Sequence, residues 1–387
     1  MALPLSYNFR NLLVRKTTTL MTALGIGLTV AVMLGILGLL SGLERSFQAT
    51  GHPRHLLVLR KGSTAELNSA VSREQFQVLR AKEGIEVENG EPLISHELVT
   101  VVSLGLQGQA GETNVTVRGL GSMGVRLRAE TVRLIEGRWF APGQRELTVG
   151  RGVVATNGVA VGRQVQIGRA YWTVVGVFDG GQTAFHGEIW GDGNQLGADA
   201  GRTATLSSVL LRAADPVAAR TLIDKIANDQ QLRHDATPEL DYYLRQTESG
   251  RPLQVLGVFV AFVMAVGSMF AAMNTMYAAV ARRTREIGVL RVLGFSRSSI
   301  LVSFVVESML LALAGGALAC LAALPFHGLT NRIGNTVTFS QSLFQFRVTP
   351  QMIGVAMVFA LVMGLLGGLW PARAAARKDP LTALRDL

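Results

Sequence analysis

The chain has 387 residues, 49% of them hydrophobic and 17% charged, with a positive mean hydropathy. It is too apolar for a wholly soluble domain and too charged to lie wholly in lipid. The formal net charge of +10 raises the question of a nucleic-acid partner, but residues 44–251 hold 23 basic and 23 acidic residues, and the other 14 basic and 4 acidic residues carry the whole excess beside apolar runs. That distribution argues against a nucleic-acid surface and marks a membrane topology.

In chain order, Arg10, Arg15 and Lys16 precede the first apolar run, so residues 1–16 read as a cytoplasmic amphipathic N-terminus. Residues 17–43 contain no charge and exceed the roughly 20 apolar residues that a membrane-crossing helix takes. Their apolar core, 20–40, is longer than the roughly 7 to 15 residues of a signal-peptide core, and no small-residue cleavage site follows at 41–46. The run reads as a retained anchor.

Residues 44–251 show the short strands and turns of an α+β domain. Strands are expected at 55–59, 98–104 and 206–211, and helices at 72–81 and after Asp215-Pro216, a capping residue and first-turn proline ahead of Ala218, Leu222 and Ile226. Two βα units result. Between them a β-rich insert, about 113–200, carries apparent strands at 114–117, 164–167 and 172–177. His52 and His55 read as linker residues rather than metal ligands.

Three further apolar runs follow, at 252–281, 298–326 and 348–372; the second is interrupted only by Glu307. Basic residues cluster ahead of the first span, in the connector 282–297 (Arg282, Arg283, Arg285, Arg291, Arg297) and in the C-terminal stretch 373–387 (Arg373, Arg377, Lys378, Arg385), whereas the outer loop 327–347 has only Arg332 and Arg347. Cytoplasmic flanks concentrate Lys and Arg, so both termini and the connector are expected in the cytoplasm and the neutral block outside. The expected fold class is therefore an α-helical membrane protein of four transmembrane helices with a large extracytoplasmic α+β domain.

Glu307 costs a few kcal/mol in lipid and should face protein or water, either in a functional role or as a packing or snorkelling group. Gly38 and Gly42, and Gly364 and Gly368, have a spacing that permits close helix contact and fits a homodimer seam. The single cysteine, Cys320, lies in an apolar run and behaves as a small hydrophobe. No lysine follows a glycine, so no phosphate loop is expected in this chain. No catalytic constellation and no metal or cofactor site is expected in this chain.

The connector residues Met273-Asn274-Thr275-Met276-Tyr277 and Arg282-Arg283-Thr284-Arg285-Glu286-Ile287-Gly288-Val289-Leu290-Arg291-Val292-Leu293-Gly294-Phe295-Ser296 resemble the MacB-like and FtsX-like permease family. So do Arg10-Asn11-Leu12-Leu13 through Gly25-Ile26-Gly27, Glu307 followed by Gly315-Gly316, Pro371-Ala372-Arg373-Ala374-Ala375, and Asp379-Pro380-Leu381-Thr382-Ala383-Leu384-Arg385. Looser matches are Glu136-Gly137-Arg138-Trp139-Phe140 and Val161-Gly162 leading through Tyr171 to Gly176. Full-length MacB proteins carry a fused ATPase, from which this chain departs.

The resemblance implies a porter-like subdomain split by an inserted β subdomain, and a coupling helix that docks into an ATP-binding subunit through Arg283, Arg285, Glu286, Ile287, Gly288, Leu290, Leu293 and Gly294. Ile287, Leu290 and Leu293 have the spacing of one helical face. The plainer reading of the connector is a lipid-headgroup anchor.

The resemblance also implies a seat in the bacterial cytoplasmic (inner) membrane and, as partners, two copies of an ABC ATPase that hold the ATP and Mg, a second permease copy (a homodimer), membrane lipids, and a periplasmic adaptor or outer-membrane partner. Two functions follow: export or extraction of a lipophilic or peptidic substrate, or FtsX-like mechanotransmission to a cell-wall hydrolase. An intramembrane enzyme built on Glu307 lacks a second acid, base or metal ligand within the spans.

Overall fold

The computed structural model describes residues 16–246, 251–334 and 341–378. The basic N-terminal motif at Arg10 and Arg15 and the C-terminal motif from Asp379 lie outside the described residues. Among those described, four helices are long and apolar enough to cross a membrane: span 1 (Lys16–Thr50), span 2 (Arg251–Arg282), span 3 (Arg297–Ala323) and span 4 (Pro350–Ala376). Capping chemistry fixes two of their starts. The Ser296 hydroxyl accepts from Ser299 N at 3.2 Å, and Thr349 accepts from Met352 N at 3.3 Å with Pro350 in the first turn.

Two compact units divide the chain. The helical unit takes the described residues up to Ser41, Pro252–Leu329, and those from Phe346 on. Its core is small and interleaved: Ile26, Val30 and Leu34 of span 1 meet Ala272 of span 2, Ala312 and Ala319 of span 3, and Ala356 and Ala360 of span 4. Alanines at these positions let the helix backbones approach.

The α+β unit is Gly42–Arg251 with Thr330–Gln345. Span 1 does not stop at the expected residue 43: its helix runs on to Thr50 with Leu43, Ser46, Phe47 and Thr50 buried and Glu44, Arg45 and Gln48 exposed, a helical stripe that continues the helix by packing where lipid would no longer support it. Phe47 stacks on Tyr243, and the Thr50 hydroxyl accepts from Ala184 N at 2.7 Å.

Ten strands of this unit form one sheet: β1 (His55–Arg60), β2 (Ile94–Gly105), β3 (Glu112–Leu120), β4 (Arg133–Gly137), β5 (Glu146–Gly150), β6 (Gln164–Ile167), β7 (Ala170–Asp179), β8 (Glu188–Asp192), β9 (Ser208–Arg212) and β10 (His234–Pro238). Their order is β10-β1-β9-β2-β3-β8-β5-β7-β4, with β6 paired to β7. The β3–β8 and β5–β7 pairs are parallel and the rest antiparallel. Buried residues on both faces of β1 suit a central strand covered on each side.

Two hydrophobic cores lie along this sheet. One gathers Leu56, Val58, Val209 and Leu211 under the helices Arg73–Arg80 and Pro216–Ala227 through Leu79, Leu222 and Ile226. The other gathers Leu98, Val117, Val149, Trp172, Ile189 and Leu196. The expected insert boundary at 113 needs correction: it cuts the β2–β3 hairpin, and β2 pairs with β9 on one side and β3 on the other, so a single sheet runs through both cores. His55 is likewise no linker residue; it opens β1, is buried, and its Nδ1 lies 2.8 Å from Glu239. The loop expected at 327–347 holds a hairpin of β11 (Thr330–Gly334) and β12 (Gln341–Gln345).

Candidate functional site

The connector folds as a short helix, Thr284–Val292, closed by a Schellman turn in which Gly294 N donates to Arg291 O and Phe295 N to Leu290 O. Gly294 takes φ +92°, which only glycine holds without strain, and this accounts for its place in the motif. The inner side of the helix is occupied. Ile287 packs with Met276 and Val280 of span 2, Ile300 and Phe304 of span 3, and Ala372 and Ala375 of span 4, and Gly288 is buried beside it.

That placement corrects the expected docking face of Ile287, Leu290 and Leu293. Ile287 is committed to the helical unit and Leu290 is half-buried, so the apolar residues left open are Val289, Val292 (65% exposed) and Leu293 (66% exposed), flanked by exposed Arg285 and Glu286. At 100° per residue, positions 287 and 289 point to nearly opposite sides. Val289 and Val292 were missed because apolar residues at 287, 289, 290, 292 and 293 encircle so short a helix, and their spacing cannot say which side faces in.

Arg283, expected to reach a partner, is 2% exposed and turned inward. Its Nη1 donates to Glu307 Oε2 at 2.7 Å, and its guanidinium lies 5.9 Å from the Phe304 ring centre. Glu307, 5% exposed, therefore faces protein and has a cation as partner.

The glycine pairs also act within the chain rather than as the expected seam between copies. A side chain at Gly38 would strike the Phe346 ring. At Gly364 it would lie 2.6 Å from the Ala312 methyl, and at Gly368 it would strike the Ser308 hydroxyl, which donates to Gly364 O at 2.8 Å. Gly42 is buried. A methyl at Gly27 would sit 2.8 Å from the Gly315 carbonyl oxygen, and Gly316 faces Met357 and Ala360. The close approach these residues permit is thus already used by span 3 against spans 1 and 4, and by span 1 against Phe346.

The α+β unit holds a buried charge centre. The five N–H groups of Arg118 on β3 are all taken: Nε and Nη2 by Glu188, Nη1 and Nη2 by Glu66, and Nη1 again by Glu97, at 2.7–3.0 Å. Arg128 grips Glu97 from the other side at 2.6 and 2.9 Å. Burial alone would raise the Glu66 carboxyl, but the Arg118 guanidinium beside it reverses the sign and holds it below the usual carboxylate range.

Four histidines of this unit, His52, His96, His186 and His234, are held below their ordinary pKa of 6.5, in each case first by burial. The unfolded chain takes up protons near 6.5 where the folded unit resists them, so their contribution is complete above that pH and is lost as the pH falls below it. Urea midpoints of this unit are expected to drop between about pH 7.5 and about pH 5.5, with a smaller drop in a His96→Gln, His234→Gln variant; an equal drop in both would remove these side chains as the cause. Glu66 does not contribute in that window, because its depressed pKa moves its loss to lower pH. Among the described residues no group of three His, Cys, Asp or Glu side chains is placed to share a metal ion.

Two family models match this chain. The MacB-like periplasmic core domain covers residues 19–229, more than half of its length, and the FtsX-like permease C-terminal model covers residues 258–380. The chain belongs to the MacB- and FtsX-like ABC permease family. The permease is a four-helix membrane protein with an extracytoplasmic α+β domain. It is 27% identical over 291 residues to the macrolide export ATP-binding/permease protein MacB of Chromobacterium violaceum, covering 70% of this chain and 44% of that protein.

The permease is 28% identical over 318 residues to the protein of the same name from Bordetella avium, covering 75% of this chain and 46% of that one. It therefore spans less than half the length of these curated relatives. Among solved structures, it is similar to the extracellular domain of the noncanonic ABC-type transporter YknZ from Gram-positive bacteria (TM-score 0.35, 18% identity, 47% of this chain and 99% of that one). It is also similar to the periplasmic region of MacB from Actinobacillus actinomycetemcomitans (TM-score 0.38, 11% identity, 53% and 97%).

Proposed function

We propose that the chain is the non-catalytic membrane subunit of an ABC transporter, in which a separate ATPase drives the connector and the four spans move the extracytoplasmic domain. The observation that carries this reading is the division of the connector helix: Ile287 and Gly288 fasten it to the helical unit while Val289, Val292 and Leu293 stand open beside Arg285 and Glu286. An apolar ridge rimmed by charge on a short helix is the form in which a helix is gripped by a groove on a soluble partner.

Such a machine works as two permease copies with two ATPases, a cyclic pair with the same connector offered twice. Both termini and the connector lie in the cytoplasm in this reading, as the arginine clusters of the flanks favour, and ATP and Mg are held by the partner. Relatives named for macrolide export support movement of a lipophilic substrate in preference to regulation of a hydrolase.

Val292→Asp with Leu293→Asp is expected to lower capture of the ATPase by the tagged full-length chain about tenfold or more, as the loss of central apolar anchors does, without altering the amount of folded permease. Since the ATPase is cytoplasmic, capture through this ridge also tests the orientation. Unchanged capture would overturn the reading.

A further inference from the structure

The helix of span 2 ends at Arg282, and the next residue leaves the helical region with φ −106° and ψ 15° before the connector helix begins at Thr284. The connector is thus joined to span 2 by a bent backbone rather than by a continuous hydrogen-bonded rod. At the same residue the side chain crosses to span 3 and binds Glu307. We propose that the Arg283–Glu307 pair is the joint that makes the connector move with span 3 instead of span 2. This inference rests on the connector being the ATPase-driven element.

Three features of span 3 support that role. The pair is buried, so opening it would strand a charge in an apolar setting, and it holds through displacements that would open an exposed ion pair. One helical turn before Glu307, Phe304 packs in the cluster around Ile287 together with Met276 and Val280 of span 2 and Ala372 and Ala375 of span 4, so packing holds the connector to all three spans and the charge pair adds a second tie to span 3. Span 3 also meets two neighbours at close range: Gly315 abuts the backbone of Ala23 and Gly27 in span 1, and Ser308 is bonded to the Gly364 carbonyl in span 4. Motion delivered to Glu307 therefore reaches spans 1 and 4 through backbone contacts. Span 2 leaves Val255, Leu256, Val258, Phe259, Phe262 and Val263 exposed along its first half, although Gly257 meets Ile36 of span 1, and it joins the bundle further on, through the Ser268–Thr29 hydroxyl pair and through Met269 and Ala272 beside Gly367 of span 4.

The test uses the full-length permease with the ATPase that copurifies with it, in lipid nanodiscs, and measures two quantities: ATPase captured, and permease-dependent change in ATP hydrolysis per captured ATPase. Glu307→Gln and Arg283→Gln each leave the covalent link to span 2 intact. Both are expected to retain capture while the second quantity falls about two- to thirtyfold, the range of coupling changes along such paths. The charge-reversed pair Arg283→Glu with Glu307→Arg is expected to restore it.

Full hydrolysis coupling in both single variants would overturn the inference and route the motion along span 2. So would a fall that merely tracks lost capture, because the pair would then only shape the docking ridge. If the single variants fail to fold, the reversed pair decides: restored coupling supports the joint, and restored capture without coupling overturns it. A wild-type chain that captures no ATPase would instead sink the proposed function.

Discussion

Replacing Arg118 with leucine is expected to lower the stability of the extracytoplasmic domain by about 3–5 kcal/mol at neutral pH. The guanidinium satisfies Glu66, Glu97 and Glu188 at once, and all three carboxylates are buried. Without it, Arg128 still holds Glu97, but Glu66 keeps only Ser208 and Glu188 only the Trp190 indole among their side-chain donors, so two carboxylates lose their counter-charge in a low-dielectric site.

Lysine is expected to fail too, since three donors on a flexible stem cannot replace five in a planar fork. Adding Glu66→Gln and Glu188→Gln to Arg118→Leu should recover much of the loss, because the cost lies in stranded charge more than in missing attraction. The deficit should also narrow as the pH falls. With the guanidinium gone, burial raises the folded-state pKa of the stranded carboxyls, and a raised folded pKa favours the folded state at low pH. Urea titration of the full chain in detergent, with Trp370→Phe so that emission comes from Trp139, Trp172 and Trp190, reads the effect. A midpoint equal to that of the parent chain at pH 7 would show that the centre contributes nothing net.

Such a centre is invisible in a single sequence. Glu66, Glu97, Arg118 and Glu188 are spread over more than a hundred residues with no spacing to link them, and each alone looks like a solvated charge. What could be read is what has a short period or a local cause. The four spans follow from uninterrupted apolar length, and the helix Arg73–Arg80 from Ser72 and Gln75, which form a capping box that leaves its mark in the sequence.

At the candidate site, the motif located the connector but not its outward side, because a helix of nine residues apolar all round has no preferred face until spans 2, 3 and 4 cover one. The partner of Glu307 was hidden for a similar reason. Arg283 stands among five arginines of the connector, and only the bend after Arg282 singles it out.

The glycines show the same division between a feature that is legible and a use that is not. Spacing announced close helix contact at Gly38–Gly42 and Gly364–Gly368, but it could not tell a neighbouring span from a second copy. The backbone crossing of Gly27 on Gly315 carries no Gly-x-x-x-Gly pair; its small residues are Ala23 with Gly27 and Gly315 with Ala319. Gly315→Leu is expected to destabilise the helical unit by about 3 kcal/mol, the upper part of the range for overpacking, because the obstacles are the carbonyl of Ala23 and the backbone of Gly27, which cannot rotate aside as a side chain can.

Gly316→Leu should cost less than Gly315→Leu, since it would meet the Ala360 methyl and the flexible Met357 sulfur, both at 3.1 Å, rather than strike a backbone carbonyl. Gly354→Leu, where nothing lies within 4 Å, should be neutral or slightly stabilising through helix propensity. Detergent-exchange unfolding followed by helical circular dichroism ranks the three. If Gly315→Leu unfolded with the Gly354 control, spans 1 and 3 would not be locked at this crossing, and the path from Glu307 into span 1 would lose its stiffest link.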